Sequence, residues 1–181
     1  MEKPPWLVRS SRYVIDTPHL RLRADEIELP DGTIIPDYFV RESRGFAMVF
    51  ALTPSRDVVL VRQYRYGNDA IGIELPAGTI DGDEDPLDCA QRELAEETGY
   101  TAAHWEPLAC WPAEPVRSTS LLHAYLAFDA RQTRPQQLEP SEHLDVLVAP
   151  IAQVTTMVRD GRIASLACVA LIYAALDRLG G

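Results

Sequence analysis

Three glutamates in one short segment carry the first chemical signal in this 181-residue chain: Glu93, Glu96 and Glu97, in the run Arg92-Glu-Leu-Ala-Glu-Glu97. If the segment is helical, Glu93 and Glu97 stand at i,i+4 and share one face, and Glu96 borders that face. Like charges at that spacing destabilise a helix by roughly a few tenths of a kcal/mol. They also sit in the last turn before Gly99, where the helix macrodipole disfavours anions. Two local rules broken in one place call for a compensating role. A hard divalent cation supplies one, because Mg²⁺ takes carboxylate oxygens and keeps waters free for substrate phosphates. A solvated acidic helix face, with Arg92 bridging to Glu96, accounts for the same run. The short motif alone leaves both readings open.

The elements that must position these residues are legible around them. Asp85 can cap a helix, Pro86 suits its first position and Asp88 favours its positive end. Leu87, Ala90 and Leu94, flanked by Cys89, form an apolar stripe at helical spacing, and Gly99 is a C-terminal stop. Upstream, residues 71–75 read as a strand that ends in a Pro76-Ala77-Gly78 turn. Extended segments are expected over residues 12–16 and 20–29, with a hairpin through the Pro30-Asp31-Gly32 turn to 33–40. Residues 46–53 and 57–64 form a second hairpin pattern. Further strands are expected at 106–111, 121–129 and 146–149, and helices at 150–159 and 165–179. Residues 130–140, rich in Gln, Arg and Pro, read as a loop. Many strands with three helices describe an α+β layered domain and not a repeating βαβ unit.

Composition bounds the function. The net charge of −10 disfavours nonspecific binding to nucleic acid or anionic membrane. A small phosphorylated substrate stays compatible with it, since a bound cation and local arginines invert the sign of a pocket. Cys89, Cys110 and Cys168 are widely spaced and offer no disulfide framework. No stretch approaches the roughly 20 apolar residues of a membrane helix, and the first residues lack a signal-peptide core. A cytoplasmic location is the expectation.

The wider segment resembles the signature of the Nudix hydrolase family, G-x5-E-x7-R-E-U-x-E-E-x-G-U, where U is a bulky aliphatic residue. Gly78, Glu84, Arg92, Glu93, Leu94, Glu96, Glu97 and Gly99 all match at the required spacing. Tyr100 departs from the final aliphatic position and is expected to fill an apolar slot. The resemblance implies an α/β/α sandwich with a mixed sheet and an N-terminal antiparallel extension. Residues 1–45 would form that β segment and contribute to a homodimer, and residues 46–181 would form the catalytic domain. It further implies Glu93 and Glu97 as the main metal ligands, with Glu96 and the Ala77 carbonyl supporting. Arg92 and Glu84 would orient carboxylates and hold the loop. The cation would be Mg²⁺, with Mn²⁺ as a substitute.

Residues outside the signature resemble the branch acting on ADP-ribose and nucleoside diphosphate sugars: Val61-Arg62-Gln63-Tyr64-Arg65, Glu74-Leu75-Pro76-Ala77-Gly78, and Pro115 with Ser118 and His123. Val116 stands where that branch usually has glycine. The resemblance implies substrate contacts from Arg62, Glu74 and Pro115, and a general base on a later loop, where Glu139 and Glu142 are the candidates. Glu142 matches better by its distance to the following strand. An aromatic that stacks on the nucleobase is expected among Trp6, Tyr13, Tyr38 and Phe39. The implied reaction is metal-dependent hydrolysis of a small-molecule nucleotide to a nucleoside monophosphate and a sugar phosphate. Alternatives are a pyrophosphatase for GDP-mannose, other nucleotide derivatives or damaged triphosphates, and a non-catalytic ADP-ribose-sensing domain. The intact glutamates disfavour the last.

Overall fold

The computed structural model describes residues 6–180; residues 1–5, the start of the stretch read for a signal peptide, lie outside them. The chain divides into two compact units, one running to Gly45 and including Pro112–Leu121, the other comprising Phe46–Trp111 and the remainder from Leu122.

In the first unit, β1 (Leu7–Asp16), β2 (Arg21–Glu28) and β3 (Ile34–Glu42) form an antiparallel sheet in that order. The β2–β3 turn closes where Gly32, at φ +84°, donates its N–H to Leu29. Ala24 and Ile27 of β2 are buried, whereas every residue of β1 is exposed. Pro112–Leu121 joins this unit through backbone bonds: Arg41 donates to Arg117 (2.8 Å) and Thr119 to Arg41 (3.2 Å). Pairing across so long a stretch of chain leaves no periodicity in the sequence, which reads as if 112–121 belonged with the segment from residue 46 onward.

The second unit is built on a seven-stranded mixed sheet. Its path runs β12 (Leu144–Pro150), β5 (Asp57–Arg65), β4 (Phe46–Leu52), β10 (Leu121–Phe128), β9 (His104–Pro112). The strands β6 (Ala70–Glu74) and β7 (Ala77–Thr79) pair with β5 and β4 respectively. The β4–β5 and β5–β12 pairs are antiparallel, and β4–β10 is parallel. A small separate ribbon pairs β8 (Tyr100–Thr101) with β11 (Arg131–Gln132).

Strand alternation sorts the core into two layers. Met48, Phe50 and Leu52 of β4, with Leu60 and Leu126, pack against α2 (Ile151–Arg159) and α3 (Leu166–Arg178). The intervening Ala47, Val49 and Ala51, with Val59 and Ala127, pack against Cys89, Ala90 and Leu94 of α1 (Pro86–Thr98). The α1-facing side of β4 is therefore small-residue, which lets the helix lie close to the sheet. Leu94 is fully buried there, and such burial stabilises by roughly 1.5–3 kcal/mol. The result is a helix–sheet–helix sandwich, as the resemblance implies. Tyr100 packs against the α1-side cluster and takes the apolar slot expected of it. Among the described residues no helix is long and apolar enough to cross a membrane.

Candidate active site

The α1 helix begins as its sequence dictates. Asp85 accepts from the Leu87 N–H at 2.8 Å, and Pro86 occupies the first helical position. The helix stops at Gly99, whose φ of +75° is left-handed and whose N–H donates to Ala95. A Cβ on Gly99 would lie 2.2 Å from the Arg134 carbonyl oxygen, so glycine is required there on two counts. Upstream, β7 is held on β4, and Cys89 lies within sulfur contact of the Gly78 and Thr79 carbonyls (3.6 and 3.5 Å). Helix and loop thereby meet side by side.

That meeting sets the carboxylates. A Cβ on Gly78 would fall 1.8 Å from Glu93 Oε1, so the missing side chain is the space that the Glu93 carboxylate fills. Glu93 and Glu97 are buried, 9% and 4% exposed, and with Asp25 they are the buried charged residues among those described. Glu97 accepts from the Ala77 N–H at 3.0 Å. Burial pushes the Glu97 carboxyl up to about 8; the Ala77 bond opposes that rise, and the charges of Glu93 and Glu142 add to it. Burial raises Glu93 as well, against the pull of Arg92.

Arg92 is the hub of the surrounding charges. It bonds Glu84 through Nε and Nη2 (2.9 and 3.0 Å), Glu93 at 2.7 Å, Glu96 at 3.1 Å and the Thr79 carbonyl at 3.3 Å. Arg92 and the Asp81 N–H together hold Glu84 at about 2, far below the ordinary carboxylate range. Glu84 thus ties the loop to the helix.

A cavity of about 530 Å³ opens over this cluster. Glu93, Glu97, Arg92, Ala77 and Gly78 line it from one side, Gln63 and Arg65 from β5, and Glu139 and Glu142 from the loop before β12. Of the residues read from the sequence, Glu96, Glu84, Gly99, Arg62, Glu74 and Pro115 do not line it. Glu96 turns to Arg92. Arg62 is paired across the sheet with Asp145 at 2.6 Å. Strand parity explains this: Arg62 shares a face with Leu60 of the α2–α3 layer, whereas Gln63 and Arg65 share one with Val59 of the α1 layer. Arg65, half-exposed, grips Glu74 at 2.7 Å, and its charge reaches Glu97. The sequence does not single out Arg65, because alternation separates the faces of β5 but does not say which one meets α1.

Pro115 lies in the first unit, in a turn where the Arg117 and Ser118 N–H groups donate to Glu114. In that unit Trp6 meets Tyr38 edge to face at 5.8 Å, and the Arg117 guanidinium lies 5.3 Å from the Tyr38 ring. Tyr13 is engaged by Glu42 and Arg21 instead, and Phe39 is exposed.

The donor set at the cavity suits a hard cation. Glu93 and Glu97 present carboxylate oxygens whose charge burial disfavours, a cost that a cation beside them would offset. Among the described residues no three histidine, cysteine or carboxylate groups already converge as a cage. The cation that Glu93 and Glu96 meet in this structure is Arg92.

Comparison with known proteins agrees with this architecture. Residues 6–40 match the nucleoside diphosphate sugar hydrolase N-terminal domain. A methanol dehydrogenase activator of Bacillus methanolicus is 30% identical over 80% of this chain and 78% of its own length. An ADP-ribose pyrophosphatase of Mycobacterium tuberculosis is 31% identical over 84% and 74%. A GDP-mannose pyrophosphatase of Klebsiella pneumoniae is 33% identical over 80% and 77%. The crystal structure of an ADP compounds hydrolase superposes with a TM-score of 0.84 at 21% identity, covering 99% of this chain and 97% of that one, a likeness of fold. Since the NUDIX domain model matches residues 43–166, more than half of the chain and the whole of the Gly78–Gly99 segment, this protein belongs to the NUDIX family.

Proposed function

We propose that this chain hydrolyses the diphosphate bond of ADP-ribose or a related nucleoside diphosphate sugar, adding water to give a nucleoside monophosphate and a sugar phosphate. The observation that carries the reading is the burial of Glu93 and Glu97 in one cavity with Arg65 and Glu142. Glu93 and Glu97 would hold Mg²⁺, with Glu96 and the Ala77 carbonyl as further donors. A divalent cation there lowers the pKa of a water and neutralises charge on the phosphoryl oxygens. Arg65 offers a charge-assisted bond to a phosphate, with Glu74 fixing its guanidinium. Arg62 and Pro115 lose ground to it, since neither lines the cavity. Glu142 is the preferred proton acceptor over Glu139, because its charge bears on both buried carboxylates. The matched N-terminal domain and the ADP-ribose pyrophosphatase relative favour a nucleoside diphosphate sugar. The Klebsiella relative supports GDP-mannose as the second reading. The unpaired Cys89, Cys110 and Cys168 suit a reducing, cytoplasmic setting.

The test is a phosphatase-coupled phosphate-release screen with Mg²⁺ and with Mn²⁺, over ADP-ribose, GDP-mannose, dinucleoside polyphosphates and nucleoside triphosphates. Release from a diphosphate sugar is expected, and Glu142→Gln should lower kcat by roughly two or more orders of magnitude. Tight ADP-ribose binding with no release from any substrate would instead identify a sensing domain.

A further inference from the structure

The segment between β11 and β12 does more than connect strands. The last carbonyls of a helix lack intrahelical partners, and here this segment supplies them. Thr133 and Arg134 donate their N–H groups to the Gly99 carbonyl (3.0 and 3.3 Å), and Gln137 donates to that of Glu96 (2.9 Å). The Gln136 side chain does something different. Its Nε2 donates to the Glu97 carbonyl at 2.6 Å and to the Leu144 carbonyl at 3.4 Å. Both acceptors are carbonyls, so the amide must present its nitrogen, which carries two hydrogens.

One amide therefore joins three places. It touches the helix turn that bears the buried Glu97, the first residue of β12, and its own segment. Gln136 and Leu144 bracket the loop that carries Glu139 and Glu142, and their bond closes the loop at its base. Inside the loop Glu142 donates its N–H to the Glu139 carbonyl, while its carboxylate accepts from the Glu139 N–H, both at 2.9 Å. The tip is thus braced by its own residues, but its placement over the cavity depends on the base.

We propose that Gln136 is a positioning residue: its amide fastens the Glu139–Glu142 loop to the turn carrying Glu97, and so sets where the loop carboxylates stand over the buried pair. This inference rests on the hydrolase reading above for its effect on rate, but not for the clamp itself. Misplacing a reacting group by about an ångström costs up to roughly 100-fold in rate.

The test compares wild type with Gln136→Met, which keeps length and removes the donor, and Gln136→Lys, which restores a donor that a helix C-terminus favours. Amide hydrogen exchange in the metal-free full chain is expected to quicken at least about tenfold in residues 138–143 of Gln136→Met, with α1 unchanged. On the substrate found in the screen, kcat should fall roughly 10- to 100-fold with KM unaltered, and Gln136→Lys should recover to within about threefold of wild type. In a Glu142→Gln background the Met substitution should cost little more, because both changes act through one group. Unchanged loop exchange, kcat within twofold of wild type, or equal impairment by Met and Lys would each overturn the proposal. Faster loop exchange in a protein that cleaves no substrate would support the clamp and remove the hydrolase reading beneath it.

Discussion

Around Arg92, one guanidinium meets three glutamates, yet these do not share one fate. Glu84 is held at about 2 because Arg92 and the Asp81 N–H both favour its charged form, while burial raises Glu93 against the pull of the same arginine. The consequence for Glu84 concerns stability. Its folded pKa lies below its ordinary 4.5, so the pair stabilises the fold fully above about pH 4.5. That contribution is lost as pH falls from there towards 2, because the folded state then has to take up the proton. Chemical denaturation of wild type against Glu84→Gln should show a gap on the order of 1 kcal/mol at pH 7, solvent screening having reduced it. The gap should close as pH falls from 4.5 to about 2, and a gap constant across that range would refute the assignment.

The α1 helix and the strand–loop before it act as one element because two glycines let backbone and side chain meet. At Gly78 the constraint is space: a Cβ would overlap the Glu93 carboxylate. At Gly99 it is both conformation and space. Gly78→Ala should therefore destabilise by about 1–3 kcal/mol, as overpacking does, and should lower turnover by displacing Glu93. Gly67 makes a matched control, with nothing near its virtual Cβ and no left-handed φ. Gly67→Ala should change stability by less than about 0.5 kcal/mol. Thermal and urea unfolding of the two variants, with turnover measured beside them, decide the point. Equal effects would mean that the Gly78 site yields more readily than its geometry states.

At the scale of the whole molecule, β1 is an edge strand exposed along its length, with Leu7, Val8, Tyr13, Val14 and Ile15 all open. An apolar edge of this kind invites pairing with another chain unless something covers it. We propose that a second copy covers it, so the chain should sediment as a dimer at micromolar concentration. Val8→Glu with Val14→Glu should shift it to monomer, since burying unpaired charge at an interface is costly. A wild-type monomer in sedimentation would rule the proposed homodimer out.

How far the sequence reached depends on whether the interaction was local. The helix from Asp85 to Gly99, with its cap, proline and glycine stop, follows from residues within a few positions of one another. The grouping of Glu93 with Glu97 needs only helical spacing, and Gly78, Glu84 and Arg92 keep fixed intervals from them. The hairpins announced themselves through turn residues and apolar runs. Pairings between distant segments were not legible in this way. Only the strand order shows that β5 turns Arg65 and not Arg62 towards α1. Only the tertiary structure lays Pro112–Leu121 along β3, or brings Gln136 against the end of α1. The sequence by itself determined the charged platform and the helix that displays it, because those depend on short-range geometry. The tertiary structure decided which arginine and which loop face that platform, because register and long-range closure leave no periodic trace in the chain.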